Sequence, residues 1–245
     1  APELGPLKRV KVPVRLEIVR ENTEGAYTGM GGRFRRGTPH EVAIEEDMNT
    51  RKGVERIVRA AFEHARARER PRVTLVDKAN AMRHAGGLWR DVFAEVGEGY
   101  PEVEQDAMYV DAMAMDLVRR PERYAVMVAS NLFGDIISDL AAELTGGLGL
   151  APSANINPGT FALFEPVHGS APDIAGQGKA NPVGAIRCVG LLLDYFGEAG
   201  AAERVRRAVG ASIAEGKTTG DLGGSFSTEE VGEWIAEHAA SHSSP

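Results

Sequence analysis

The densest chemistry in this sequence is a pair of aspartates four residues apart, Asp135 and Asp139 in GDIISD. On a helix that spacing puts both side chains on one face, one turn apart. Two like charges there repel, and a hard divalent cation such as Mg²⁺ or Mn²⁺ would compensate them, because it takes one or two carboxylates with water and substrate completing its shell. Asp111, placed at the end of a strand, is a candidate third carboxylate. A solvated helix face fits the same DxxxD spacing. Lys78 ends an apolar run, where an amine could take part in proton transfer. A strand-end lysine that snorkels into water fits too. Tyr27, in a glycine-flanked loop, could donate a proton to a developing carbanion, or be an ordinary half-buried tyrosine. Arg20 could grip a carboxylate bidentately, or pair with Glu21 or Glu24. The segment EPVHGSAPDIAG puts His168 and Asp173 among small residues that let a ligand approach the backbone. An acidic side chain in such a loop can accept hydrogen bonds from ribose hydroxyls and repel a 2′-phosphate. No GxGxxG follows a strand, so a Rossmann fingerprint is absent.

These residues need elements to hold them. RLEIVR alternates apolar and charged residues as a strand does, and HEVAIEED reads as a strand extending from the body. NTRKGVERIVRAAFEHARAR predicts an amphipathic helix with Val54, Ile57, Val58, Ala61 and Phe62 on one face and Asn49 or Thr50 as cap. RVTLVDK and AVMVASN predict buried strands, and VEQDAMYVDA another with Asp111 at its end. Helices are predicted from Leu88 to near Gly97–Pro101, over AMDLVRRPERY, and over FGDIISDLAAELTGG. Alternating strands and helices argue an α/β sheet with helical layers. From Thr145 the chain turns Gly/Pro-rich, then gives helices near 183–196 and 201–215 and a last one capped by Ser227 or Thr228. Residues 1–12 read as an irregular lead-in.

Composition narrows the classes. The 245 residues suffice for one large α/β domain or two smaller ones. A net charge of −7 argues against a nucleic-acid partner. No apolar run reaches the roughly 18–20 residues that span a bilayer, so no membrane association is expected. The single cysteine, Cys188, permits no internal disulfide, which fits a reducing compartment. With no secretory h-region in the opening residues, the expected location is cytoplasmic.

Six segments in order carry a resemblance: RENTEGAY (20–27), DKAN (77–80), YVDAMAM (109–115), NLFGDIISDL (131–140), FEPVHGSAPDIAGQGKANP (164–182) and DLGGSFSTEE (221–230). Together the sequence resembles the isocitrate/isopropylmalate dehydrogenase family of β-decarboxylating dehydrogenases. The resemblance implies a three-layer αβα, non-Rossmann fold with two subdomains. Residues 1–145 would be the second domain, with dimerisation, metal and proton-transfer roles and an inter-subunit arm near 27–46. Residues 146–245 would be the C-terminal half of the dinucleotide-binding domain.

It implies a reaction as well: NAD-dependent oxidative decarboxylation of a small 2-hydroxy dicarboxylic acid, with Mg²⁺ or Mn²⁺. By the family pattern Arg20 would bind the substrate, and Tyr27, Lys78 and Asp111 would be catalytic. Asp111, Asp135 and Asp139 would hold the metal. His168, Gly169, Ser170, Ala171, Asp173 and Asn181 would bind the cofactor. Asp173 stands where NADP-users carry a Lys-Tyr type of pair, which favours NAD. Lys78 and Asp111 would serve the neighbouring subunit's site in a homodimer. YVDAMAM and VDKANAM lie nearest the isopropylmalate dehydrogenases of leucine biosynthesis. Tartrate/malate and homoisocitrate or isocitrate dehydrogenases are the alternatives. The family's GDGIGPE-type turn, its early substrate-contacting helix and two further substrate arginines have no counterpart in these residues, so the first subdomain would be incomplete. A non-catalytic fragment or subunit is therefore a second reading.

Overall fold

In the computed structural model the described residues are 14–157, 159 and 161–241. The lead-in predicted for residues 1–12 lies outside them. The chain divides into two compact units between Leu144 and Thr145.

The first unit is built on a four-stranded sheet in the order β1-β6-β4-β5, formed by Glu17–Arg20 (β1), Arg72–Asp77 (β4), Glu104–Tyr109 (β5) and Val126–Ala129 (β6). All its pairings are parallel, so each successive strand returns through a helix. β4 is the clearest case of sequence dictating position, with five of its six residues, VTLVD, buried. A strand covered on both faces reads as a continuous apolar run. Its side chains alternate: Val73 and Leu75 pack in one cluster with Val54, Val58 and Phe62 of α1 (Arg51–Arg66) and Trp89 and Phe93 of α2 (Arg83–Gly97). Val76 packs in the opposite cluster with Met113 and Leu117 of α3 (Val110–Arg119) and Ile137 of α4 (Asn131–Leu144). The unit is thus a three-layer αβα arrangement, as expected. An antiparallel ribbon, β2 (Gly31–Phe34) with β3 (Val42–Glu45), lies outside this sheet, and its Phe34, Val42 and Ile44 are exposed.

The caps explain where α1 starts. The Thr50 hydroxyl accepts a hydrogen bond from the Gly53 N–H at 3.0 Å, and Glu24 accepts from the Thr50 N–H at 2.7 Å. A carboxylate at a helix N-terminus also meets the positive end of the helix dipole. Two expected boundaries move. α2 begins at Arg83 rather than Leu88, because Gly86 packs its bare backbone on Ala79. Asp111 is not at a strand end: β5 stops at Tyr109, and Asp111 lies in the first turn of α3.

Among its described residues the second unit holds a hairpin and three α-helices. β7 (Pro152–Asn157) pairs antiparallel with β8 (Phe161–Pro166), in a stretch the sequence showed only as Gly/Pro-rich. α5 (Val183–Tyr195), α6 (Ala199–Ala214) and α7 (Thr228–Ser241) follow. Val183, Val209, Val231 and Ile235 form their common core with Leu150. Ser227 and Glu230 close a capping box at α7, with the Ser227 N–H donating to Glu230 at 2.7 Å and the Glu230 N–H to Ser227 Oγ at 3.3 Å. Among the described residues no helix is long and apolar enough to cross a membrane.

Candidate functional site

Three groupings carry the residues singled out above. The first sits where β1 ends and α4 begins. Arg20, the last residue of β1, donates from Nη2 to the Asn131 side-chain oxygen at 2.7 Å and pairs with Asp135 at 2.6 Å. Tyr27, in a single 3₁₀ turn, donates its hydroxyl to the other Asp135 oxygen at 2.9 Å, and the Arg20 guanidinium lies 5.4 Å from its ring centroid. That hydrogen bond to a carboxylate, with some burial, raises the phenol's pKa and holds its proton. Room for Arg20 comes from Gly134, where a Cβ would stand 2.6 Å from Arg20 Cγ. Asp139 follows one turn later on α4, exposed. Arg20, Tyr27 and Asp135 are therefore together, with Asp139 on the same helix face.

The second grouping sits where β4 and β5 end side by side. Lys78 Nζ donates to Asp111 Oδ1 at 2.6 Å, and this partner lowers the Asp111 pKa. No hydrogen bond or ion pair among the described residues links this pair to the Arg20 grouping. Asp111, Asp135 and Asp139 do not form a cluster of three, and no group of three or more His, Cys, Asp or Glu side chains among the described residues could hold a metal. The donor chemistry still fits a hard cation in part. Asp135 and Asp139 supply two carboxylates a helical turn apart, and Mg²⁺ is commonly bound by that many with water and substrate completing its octahedron.

The third grouping belongs to the second unit. His168, Gly169, Ser170, Ala171 and Asp173 run along one loop. His168 Nδ1 lies 2.9 Å from the Gly169 carbonyl, while its Nε2 is buried without a hydrogen-bond partner. Ala171 has φ 42°, a left-handed conformation that costs a residue with a Cβ about 1 kcal/mol or more and concentrates at functional positions. Asp173 is exposed in the 3₁₀ turn that follows. Asn181 accepts from the N–H of Val183, the first residue of α5, at 3.0 Å, and donates to Asp221 at 2.9 Å. The orphaned ring nitrogen is closed to solvent, so what suits a ligand here is the exposed run of small residues Gly169, Ser170 and Ala171, whose bare backbone allows the close approach a dinucleotide needs.

Two participants went unassigned from sequence. Asn131 orients Arg20 and is 4% exposed. Asp221 is shared by Asn181 and the Thr219 hydroxyl. Both stand inside recognisable motifs, NLFGD and DLGG, and that was their only signal.

Comparison with known proteins agrees along the chain. The family described as isocitrate/isopropylmalate dehydrogenase matches residues 3–235. A 3-isopropylmalate dehydrogenase from Thermobifida fusca is 53% identical over 227 residues, covering 91% of this chain and 63% of that protein. One from Clavibacter sepedonicus is 54% identical over 220 residues, covering 89% and 61%. The crystal structure of an isocitrate dehydrogenase from Methylococcus capsulatus superposes with a TM-score of 0.89 at 44% identity, covering 96% of this chain and 70% of that one. The TT0538 protein from Thermus thermophilus gives a TM-score of 0.89 at 39% identity, covering 97% and 48%. The chain thus spans somewhat over three-fifths of the length of these curated relatives. With a family match over nearly the whole sequence and identities above one half, this chain belongs to the isocitrate/isopropylmalate dehydrogenase family.

Proposed function

We propose that this chain serves the NAD-dependent oxidative decarboxylation of a malate-type 2-hydroxy dicarboxylic acid, with 3-isopropylmalate the foremost substrate. The observation that carries the reading is the Arg20–Asp135–Tyr27 grouping, which brings a guanidinium, a carboxylate and a protonated phenol together at one strand end. The relatives that are more than half identical to it over the aligned stretch are called 3-isopropylmalate dehydrogenases, which supports that substrate ahead of isocitrate, homoisocitrate, tartrate or D-malate.

Arg20 binds the substrate's carboxylate through its planar guanidinium. Lys78 and Asp111, which lie in contact, take the hydroxyl proton as the carbon is oxidised, the amine acting in its neutral form once its own proton has passed to solvent. Tyr27 returns a proton to the enol carbon left by loss of CO₂. Asp135 and Asp139 hold the Mg²⁺ or Mn²⁺, with Asp111 as the third ligand from the neighbouring subunit of a homodimer. The metal, when bound, supplies Lewis acidity at the keto oxygen. The loop of His168, Gly169, Ser170, Ala171, Asp173 and Asn181 would hold NAD, which would supply the hydride acceptor. Residues 1–145 act as the dimerising domain with its arm near 27–46, and residues 146–245 as the C-terminal half of the dinucleotide domain. The break between Leu144 and Thr145 supports that assignment. The single cysteine supports a cytoplasmic place.

The test is NADH formation by the purified chain with Mg²⁺ or Mn²⁺ on 3-isopropylmalate, isocitrate, homoisocitrate, D-malate and tartrate. Turnover on one of them establishes class and substrate. The expected rate for these 245 residues alone is weak or nil, because two of the three substrate arginines the family pattern implies are not among them. The same activity in a form spanning the relatives' full length is expected at ordinary enzyme rates. Silence from that longer form, with folded protein, favours the non-catalytic reading.

A further inference from the structure

Lys78 has a flexible four-carbon stem and one ion-pair partner, Asp111, whose side chain is 63% exposed. An exposed pair of that kind contributes about 0–1 kcal/mol and does not by itself fix a lysine. A second contact is present. Lys78 Nζ lies 5.6 Å from the ring centroid of Tyr109, within the range of a cation–π attraction. The Arg90 guanidinium lies over the same ring at 5.0 Å. Arg90 is itself fixed: its Nε donates to Asp77 Oδ2 at 2.5 Å and its Nη2 to Asp77 Oδ1 at 3.2 Å. Asp77 is 3% exposed, and a carboxylate that deep requires a charged partner. Its Oδ1 also accepts from the Ala79 N–H at 3.2 Å, pinning the turn just past Lys78. The strand register closes the set, since Asp77 of β4 stands opposite Tyr109 of β5.

We infer that Tyr109 is a positioning residue for Lys78, its ring a seat for the ammonium that Arg90, anchored on the buried Asp77, holds in place. Asp77 anchors Arg90, Arg90 covers the ring, and the ring and Asp111 together aim the amine. The inference rests on the reading of Lys78 as proton acceptor for its purpose, the seated ammonium being the form that has already taken up a proton, but the arrangement itself is tested without turnover.

The experiment is NMR of the 245-residue chain with isotope-labelled lysine, the Lys78 signals being identified by their loss in Lys78→Met. A lysine on an aromatic face has its ε-CH₂ protons moved upfield by the ring current. Lys217, 5.2 Å from the Phe226 ring, supplies an internal standard that Tyr109 variants leave unmoved. The expected result is an upfield Lys78 signal with cross-relaxation to the Tyr109 ring protons. Tyr109→Leu returns the signal to the position of solvated lysines, Tyr109→Phe keeps it upfield, and Arg90→Met moves it part of the way back. An unshifted Lys78 signal in the unmodified chain, or one unchanged by Tyr109→Leu, overturns the inference. If Tyr109→Leu does not fold, the unmodified chain and Tyr109→Phe decide: loss of the shift in Tyr109→Phe gives the role to the hydroxyl and removes it from the ring. A shifted signal beside unimpaired NADH formation by Lys78→Met in the full-length form would keep the seat and discard the catalytic reading.

Discussion

Asp135 joins two functions at one carboxylate, since it neutralises Arg20 and holds the Tyr27 proton. Replacing Asp135 with Asn should weaken Mg²⁺ or Mn²⁺ binding by on the order of tenfold or more, read by titration calorimetry, with little change in melting temperature. Stability survives because the pair is partly exposed, and such pairs contribute at most about 1 kcal/mol. Unchanged metal affinity would remove Asp135 from the site. Asp173→Lys should shift preference toward NADP by removing the repulsion of a 2′-phosphate, and an unaltered NAD/NADP binding ratio would sink that assignment. Away from the site, burial and a hydrogen bond to Asp116 push the Tyr124 pKa up from 10.0 to about 12. A raised pKa favours the protonated fold, so this contribution is complete below pH 10 and is lost as pH rises through about 12. Asp116 is displaced downward, chiefly by the Tyr124 hydrogen bond, so its contribution is present above the ordinary carboxylate range and lost as pH falls below it. Tyr124→Phe should therefore flatten the alkaline arm of a melting-temperature profile. An identical alkaline arm in the variant would contradict this.

At the scale of elements, the turn after β4 depends on a bare backbone. A Cβ at Gly86 would stand 2.5 Å from Ala79 Cα, a backbone atom that cannot swing away. Gly86→Ala gains about 1 kcal/mol of helix propensity and loses about 1–3 kcal/mol to overpacking. The tightness of the contact puts the balance on the destabilising side, and a urea midpoint above that of the unmodified chain would refute it. The same helix shows why boundaries were only partly legible. HAGG discourages a helix on propensity, so the expected start lay at Leu88, whereas packing against Ala79 admits the glycines from Arg83 on. β4 and α1 were readable because burial on one or both faces leaves a periodic trace, as in RVTLVD and VERIVRAAF. β7 and β8 left no such trace: PSANIN carries proline and asparagine, and much of the hairpin is exposed.

At the scale of the whole molecule, the first unit leaves Phe34, Val42 and Ile44 of the ribbon and Met115, Val118 and Ile136 of α3 and α4 exposed. The homodimer proposed above would cover such apolar side chains, and a dimer is the expected outcome of sedimentation analysis. A monomer at micromolar concentration would count against the shared active site. The sequence by itself determined the family and the α/β class, and it nominated the residues proposed for metal, proton transfer and cofactor. Those are written in local motifs whose order and chemistry need no coordinates. Only the tertiary structure decided that Arg20, Tyr27 and Asp135 meet from distant stretches of chain while Asp111 pairs with Lys78 elsewhere. Only it showed Tyr109 and Arg90 beside that lysine. The reason is physical: which strand ends lie side by side is fixed by the parallel order β1-β6-β4-β5 and its register, and no spacing along the chain encodes that order.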